Sequence, residues 1–228
     1  MAGIAFVTGS YTAPAPGRTV PGQGVSLMLF DPETGGITEQ DHFKDLVNPS
    51  YLRPHRDVIH VVCENGPDDS VLATLAVRDG KLVQLGSAPI PGSAPCHVEV
   101  DSAGRWAASA CYSSGHVVIH GLDAAGIAHG PVSVALHAGS SINPRRQQGP
   151  HAHGSSFTAD GARLLVTDLG TDEVWCHAVD PATGALDDVA KRWRAPAGSG
   201  PRLINLAADG RLAVMVTELA NTVHSLRV

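Results

Sequence analysis

Apolar residues in this chain come in short runs that break at glycine, proline and aspartate, and several of the runs alternate with polar positions at the period of a β-strand. Val71 to Val77 precedes Asp79-Gly80 and Leu82 to Leu85 follows it, a spacing that predicts two strands joined by a tight turn. His116 to His120 ahead of Asp123 to Gly126, and Glu173 to Val179 ahead of Asp180 to Gly184, predict further strands whose ends are set by turn residues. Leu186 to Arg194 is a weak helical candidate and is discounted. Helix is therefore expected in less than about a tenth of the chain.

The same local strings return at intervals. Asp31-Pro32-Glu33-Thr34-Gly35 is echoed by Asp180-Pro181-Ala182-Thr183-Gly184, each after an apolar strand. A second set comprises Asn48-Pro49-Ser50-Tyr51-Leu52, Ala94-Pro95-Cys96-His97-Val98, Gly149-Pro150-His151-Ala152-His153 and Gly200-Pro201-Arg202-Leu203-Ile204, with prolines 46, 55 and 51 residues apart. Ser102-Ala103-Gly104-Arg105, Ala159 to Arg163 and Ala208 to Arg211 form a third set that follows the last three members of the second. Four strands in about 50 residues make one propeller blade. Helical repeats of this period would need apolar spacing that is absent, and a β-sandwich would not return the same strings in the same order. The fold class predicted is all-β, a β-propeller of four-stranded blades. Four to five blades fit in one domain over 1–228, without a linker, and Ala13 to Gly17 reads as a loop inside the first.

Composition narrows the function. Sixteen basic against 22 acidic side chains leave a net charge of −6, which argues against nucleic acid or an anionic membrane as partner. Apolar runs such as Leu212 to Val216 are far shorter than the roughly 20 residues of a membrane helix. The N-terminus lacks the basic and long apolar regions of a secretory signal, so a cytoplasmic location is expected. Cys63, Cys96, Cys111 and Cys176 form no CxxC pair, and His151-x-His153 has no marked third ligand; neither a metal nor another cofactor is expected. Lys191 to Arg194 reads as an exposed loop. No nucleophile-elbow, phosphate-loop, dinucleotide or HExxH motif is present.

Two longer strings, Asn143-Pro144-Arg145-Arg146-Gln147-Gln148-Gly149-Pro150-His151-Ala152-His153 and Glu218-Leu219-Ala220-Asn221-Thr222-Val223, join the proline-containing segments and Asp168-Leu169-Gly170-Thr171-Asp172 in a recognisable order. Together they resemble the bacterial lactonase family of propeller-type 6-phosphogluconolactonases and carboxymuconate cyclases. Members of that family have seven blades, so the resemblance implies a domain incomplete toward its C-terminus. It also implies open blade edges through which copies could associate. The chain departs from the family pattern at Leu203, Thr217 and Cys111.

Candidate site residues are those at matching repeat positions: His97, His151, His153 and Arg202, with Glu64, Tyr112, Asp168 and Glu218 after apolar strands. Counted from the turn glycines, Tyr112 is Gly104 + 8, Asp168 is Gly161 + 7 and Glu218 is Gly210 + 8. A propeller brings such positions to one mouth of its central channel. Opening a lactone needs a base for water, donors for the oxyanion and a clamp for an anionic substituent. Glu218, His151 and His153 can supply acid and base; Arg146 and Arg202, with His97 and Asp168, can bind substrate. The resemblance implies hydrolysis of a small anionic sugar lactone in carbohydrate metabolism, along the pentose phosphate route. Two other readings use the same residues: a lactonising cyclase and a non-enzymatic binding propeller. Asp168 and Asp172 are equally readable as carboxylates that cap turns.

Overall fold

The computed structural model describes residues 3–13, 21–187, 190–207 and 210–228. Of the loop expected over Ala13 to Gly17, all but Ala13 lies outside these residues, as do Ala208 and Asp209 of the third repeat set. Eighteen strands fill the described chain, and no helix in it is long and apolar enough to cross a membrane. They form five antiparallel sheets in chain order. The first is β1 (Ile4–Gly9), β2 (Val25–Phe30) and β3 (Ile37–Phe43). The second is β4 (Pro49–His55), β5 (Val58–Cys63), β6 (Val71–Arg78) and β7 (Lys81–Pro89). The third is β8 (Pro95–Val100), β9 (Trp106–Cys111), β10 (His116–Leu122) and β11 (Ala128–Leu136). The fourth is β12 (Ala152–Phe157), β13 (Arg163–Asp168), β14 (Glu173–Ala178) and β15 (Lys191–Arg194); the fifth is β16 (Pro201–Leu206), β17 (Leu212–Thr217) and β18 (Val223–Arg227).

The turns are those the sequence asked for. Asp79 and Gly80 both take positive φ, 50° and 75°, which closes β6 onto β7 with the hand that matches strand twist. In the two Asp-Pro-x-Thr-Gly turns the aspartate carboxylate accepts backbone N–H groups two and three residues on, or the threonine hydroxyl. Lys191 to Arg194, expected as a loop, is instead the outer strand β15: it is exposed along its whole length but pairs with β14, and the pairing decides its conformation.

Strands β4, β8, β12 and β16 lie innermost and pack side by side, while β3, β7 and β11 line up at the rim. The first sheet is offset from this plan. β1 packs on β4 as β5 does on β8, β9 on β12 and β13 on β16, so it holds a second-strand place. Among the described residues no strand pairs with its inner side, nor with the outer side of β18.

The second, third and fourth sheets are covered on both faces, so strands such as β5, β9 and β13 lose the alternation of a half-exposed strand and are buried almost throughout, whereas β17 of the fifth sheet alternates between exposed and buried. Along β5, Ile59, Val61 and Cys63 pack toward Val25 and Leu27 of the first sheet, and Val62 packs toward Val98 and Val118 of the third. The next interface joins Ala108, Ala110, Val117 and Ile119 to Leu164 and Val166; the last joins Leu165 and Val174 to Ile204, Ala213 and Met215. The core is thus four separate layers between sheets. Ile119 is fully buried in one of them, and Ile119→Ala is expected to lower the unfolding free energy by about 2–5 kcal/mol, read from urea titration.

Candidate active site

The four inner strands share one irregularity. Near the start of each, the register to the following strand slips by a residue: between Pro49 and Tyr51, Pro95 and His97, Ala152 and Gly154, and Pro201 and Leu203. A bulge of this kind leaves one residue unpaired and re-aims its side chain. The four residues so released are Ser50, Cys96, His153 and Arg202, and all four line one cavity of about 340 Å³. A second ring of side chains comes from the residues that follow β5, β9 and β17. The N–H groups of Glu64, Tyr112 and Glu218 donate to the carbonyls of Asn48, Ala94 and Gly200, and their side chains join the cavity wall. Tyr11, after β1, and Tyr51 contribute too, and Arg146 reaches in from the β11–β12 connection.

Glu218 is the electrostatic centre. Its Oε1 accepts Arg146 Nη2–H at 2.5 Å and its Oε2 accepts an N–H of Arg202. Burial, the largest single influence, pushes the Glu218 carboxyl up, but the hydrogen bonds and charges of the two guanidiniums together outweigh it and hold the group below its ordinary value. Arg146 also donates Nε–H and Nη2–H to Tyr112 Oη at 3.2 and 3.0 Å, which leaves the phenolic proton free to be donated. His153 Nε2 lies 3.8 Å from Glu218 Oε2. Burial, then the positive charge of Arg202, lowers His153 to about 4, so it is a neutral imidazole at neutral pH. Its Nδ1 faces Cys96 Sγ at 3.6 Å, a thiol that burial pushes far up and keeps protonated. On the opposite wall Tyr11 donates its hydroxyl to Glu64. Among the described residues no three His, Cys, Asp or Glu side chains converge as metal ligands would.

Of the residues singled out from sequence, Glu218, His153, Arg146 and Arg202 meet in the cavity, with Glu64 and Tyr112. Three do not line it. His151 stacks flat on Tyr112, 4.5 Å between centroids and 16° between planes, and its Nδ1 bonds the Tyr112 carbonyl at 2.7 Å, so it buttresses that ring from behind. His97 is buried one position past the bulge; its Nδ1 accepts the Ser155 N–H at 3.3 Å, and its ring lies 4.5 Å from Tyr51. Asp168 is fully buried, accepting the N–H groups of His151, Gly170 and Thr171 on Oδ1 and meeting His137 Nδ1 at 2.8 Å on Oδ2. The count from Gly161 anticipates this, since + 7 rather than + 8 is the other face of a strand. Leu169 holds the place equivalent to Glu64, Tyr112 and Glu218, its N–H donating to the His151 carbonyl. Four lining residues, Tyr11, Ser50, Tyr51 and Cys96, were not among the candidates. The signal for Ser50 and Cys96 was their place after a proline, shared with Arg202.

Burial also lowers His60 and His177 to about 4 and His97 to about 3. These imidazoles stay neutral in the fold, whereas the unfolded chain takes up protons below the ordinary value of 6.5. The stability they contribute is present above that pH and is lost as pH falls toward 4, each adding a slope of up to about 1.4 kcal/mol per pH unit. Urea midpoints measured from pH 7.5 down to 4.5 are expected to fall steeply below pH 6.5, and a flat profile would contradict the buried, neutral assignment.

Comparison with known proteins places this arrangement. Residues 5–228 match the family model described as lactonase, seven-bladed β-propeller. A 6-phosphogluconolactonase of Bacillus subtilis is 30% identical over 207 residues, 90% of this chain and 58% of that protein. The structure of a periplasmic gluconolactonase of Pseudomonas aeruginosa superposes with a TM-score of 0.87 at 27% identity, covering 100% of this chain and 65% of that one. A Lactobacillus plantarum protein of known structure gives a TM-score of 0.85 at 27% identity, covering 99% and 63%. The chain therefore spans less than two thirds of the length of these relatives. Since the match runs through all five sheets and both walls of the cavity, the chain belongs to the seven-bladed β-propeller lactonase family.

Proposed function

We propose that this chain carries the site of a sugar-lactone hydrolase of the 6-phosphogluconolactonase type, working at the mouth of the propeller's central channel. The observation that carries the reading is Glu218 held between Arg146 and Arg202, with neutral His153 at 3.8 Å. While both guanidiniums hold Glu218, they keep it a weak base. An anionic lactone that draws either arginine to its phosphate or to its ring substituents removes the interaction that lowers Glu218, and burial then raises its basicity. Substrate binding thus switches on the base. Glu218 takes a proton from water as the oxygen attacks the lactone carbonyl, and when the bond from the carbonyl carbon to the ring oxygen breaks that proton returns from Glu218 to the departing oxygen, with the neutral imidazole of His153 beside the carboxyl to orient it. The oxyanion is met by the Tyr112 hydroxyl and by Arg146 N–H groups, donors fixed in advance by their bond to each other. Glu64 and the Tyr11 hydroxyl oxygen supply acceptors for sugar hydroxyls.

The experiment is acid release from 6-phosphogluconolactone at constant pH, with unphosphorylated glucono-δ-lactone alongside. Release well above the spontaneous rate is expected for the phosphorylated substrate. Release at the spontaneous rate for both, in protein that still binds 6-phosphogluconate, would replace hydrolysis with the binding-module reading.

A further inference from the structure

One carboxylate outside the cavity bonds both of the segments that lead to the arginines of the Glu218 cluster. Asp172 sits in the turn between β13 and β14 with φ of 56°, and it is only 4% exposed. Its Oδ2 accepts the Ser141 hydroxyl at 2.5 Å and the Gly198 N–H at 2.6 Å. Its Oδ1 accepts the Gly200 N–H at 2.7 Å and the Ser199 hydroxyl at 3.4 Å.

These donors lie on two paths to the site. Ser141 begins a closed loop: its N–H donates to the Gln147 carbonyl, the Gln147 N–H to the Asn143 carbonyl, and the Asn143 side chain accepts the Arg146 N–H at 3.1 Å. Arg146 thus rides on a small ring anchored at one end to Asp172 and at the other by Gln147, whose Nε2–H donates to the Leu169 carbonyl. On the second path, Gly200 leads directly into Pro201 and the bulged Arg202, and its carbonyl accepts the Glu218 N–H at 2.8 Å. Gly200 has φ of 63°, and a Cβ there would lie 2.7 Å from Leu219 and 3.2 Å from Leu169, so this link is narrow and has no slack for a side chain.

We propose that Asp172 is a positioning residue: its buried carboxylate sets the separation of Arg146 and Arg202 around Glu218 by tying the two guanidinium-bearing segments to one point. The proposal rests on the lactonase reading for its consequence in turnover but not for its geometry. With four donors on two carboxylate oxygens, Asn can keep one oxygen's bonds and must turn an NH₂ toward the donors of the other. Asp172→Asn therefore releases one arm of the clamp, and Ser141→Ala releases the Arg146 arm alone.

Two readouts separate positioning from a purely structural role. The first is the titration of the Glu218 side chain, followed by carbon NMR on the full chain labelled at glutamate and assigned with Glu218→Gln. The second is kcat and KM for 6-phosphogluconolactone, with thermal stability measured in parallel. The control is Asp160→Asn, a carboxylate in the same sheet that also caps a turn, through Thr158 Oγ and the Ala162 N–H, and reaches neither arm. Asp172→Asn and Ser141→Ala are expected to raise the Glu218 titration midpoint by roughly one unit, as for a carboxylate losing one guanidinium partner, and to raise KM several-fold; Asp160→Asn is expected to move neither. An unchanged Glu218 midpoint in folded Ser141→Ala overturns the proposal even if Asp172→Asn does not fold, and so does an equal shift in Asp160→Asn. Absence of turnover in the unmodified protein would sink the lactonase reading and leave the Glu218 titration to decide the role of Asp172.

Discussion

Glu218→Gln is expected to reduce kcat by about 100- to 10,000-fold, the range that a positioned general base supplies. Glutamine keeps the shape of the side chain and can still accept from one guanidinium, so the cavity should persist. What goes is the charge. Arg146 and Arg202 then face each other without the anion that now separates them, and an anionic ligand gains the two cations that Glu218 had neutralised. The signature is thus a fall in kcat accompanied by an unchanged or lower KM and tighter binding of 6-phosphogluconate. A variant that merely collapsed the site would weaken both. Kinetics and product titration on the same preparation distinguish the two, and retention of more than about a tenth of wild-type kcat would contradict the base assignment.

Arg202→Ala should act the other way. A charge-assisted hydrogen bond to a ligand contributes about 1.5–3 kcal/mol, so KM is expected to rise about 10- to 100-fold with a smaller change in kcat. It should also displace the acid limb of the kcat/KM profile. Arg202 is one of two groups holding Glu218 low; removing it raises the carboxyl, so activity fails at a higher pH than in the unmodified protein. Arg202→Lys should restore the charge but not the forked geometry, recovering the acid limb more fully than KM.

The sheets were legible in the sequence because a propeller repeats its punctuation. Asp79-Gly80, the Asp-Pro-x-Thr-Gly turns and the glycines at 104, 161 and 210 need positive φ in each copy, and the structure has it there. The site was legible less evenly, for reasons that lie in single residues. Pro49, Pro95 and Pro201 open inner strands, but the fourth opens at Ala152, two residues beyond Pro150. That offset separates His153, which occupies the bulge, from His151, which precedes the strand. A slip of one residue put Asp168 among the candidates when Leu169 holds the equivalent place. A strand's side chains change face at every step, so a count that is right to within one residue is wrong about direction. Arg146 came from a string rather than a repeat, because it rides on a connection that only one sheet possesses. Tyr11 was hidden because β1 occupies a second-strand place, with no proline-led strand before it to set the frame. The basic run Lys191 to Arg194 gave no apolar pattern at all; its pairing to β14 is what makes it a strand.

The central claim is that an anionic sugar acid sits among Glu218, Arg146, Arg202 and His153. A crystal structure of the protein with 6-phosphogluconate tests it most directly. The account predicts the ligand in the cavity walled by Ser50, Cys96, His153 and Arg202, with Arg146 or Arg202 bonded to it and Glu218 released from that arginine. Product bound elsewhere on the protein, or bound in the cavity with Glu218 still clamped by both arginines, would contradict it.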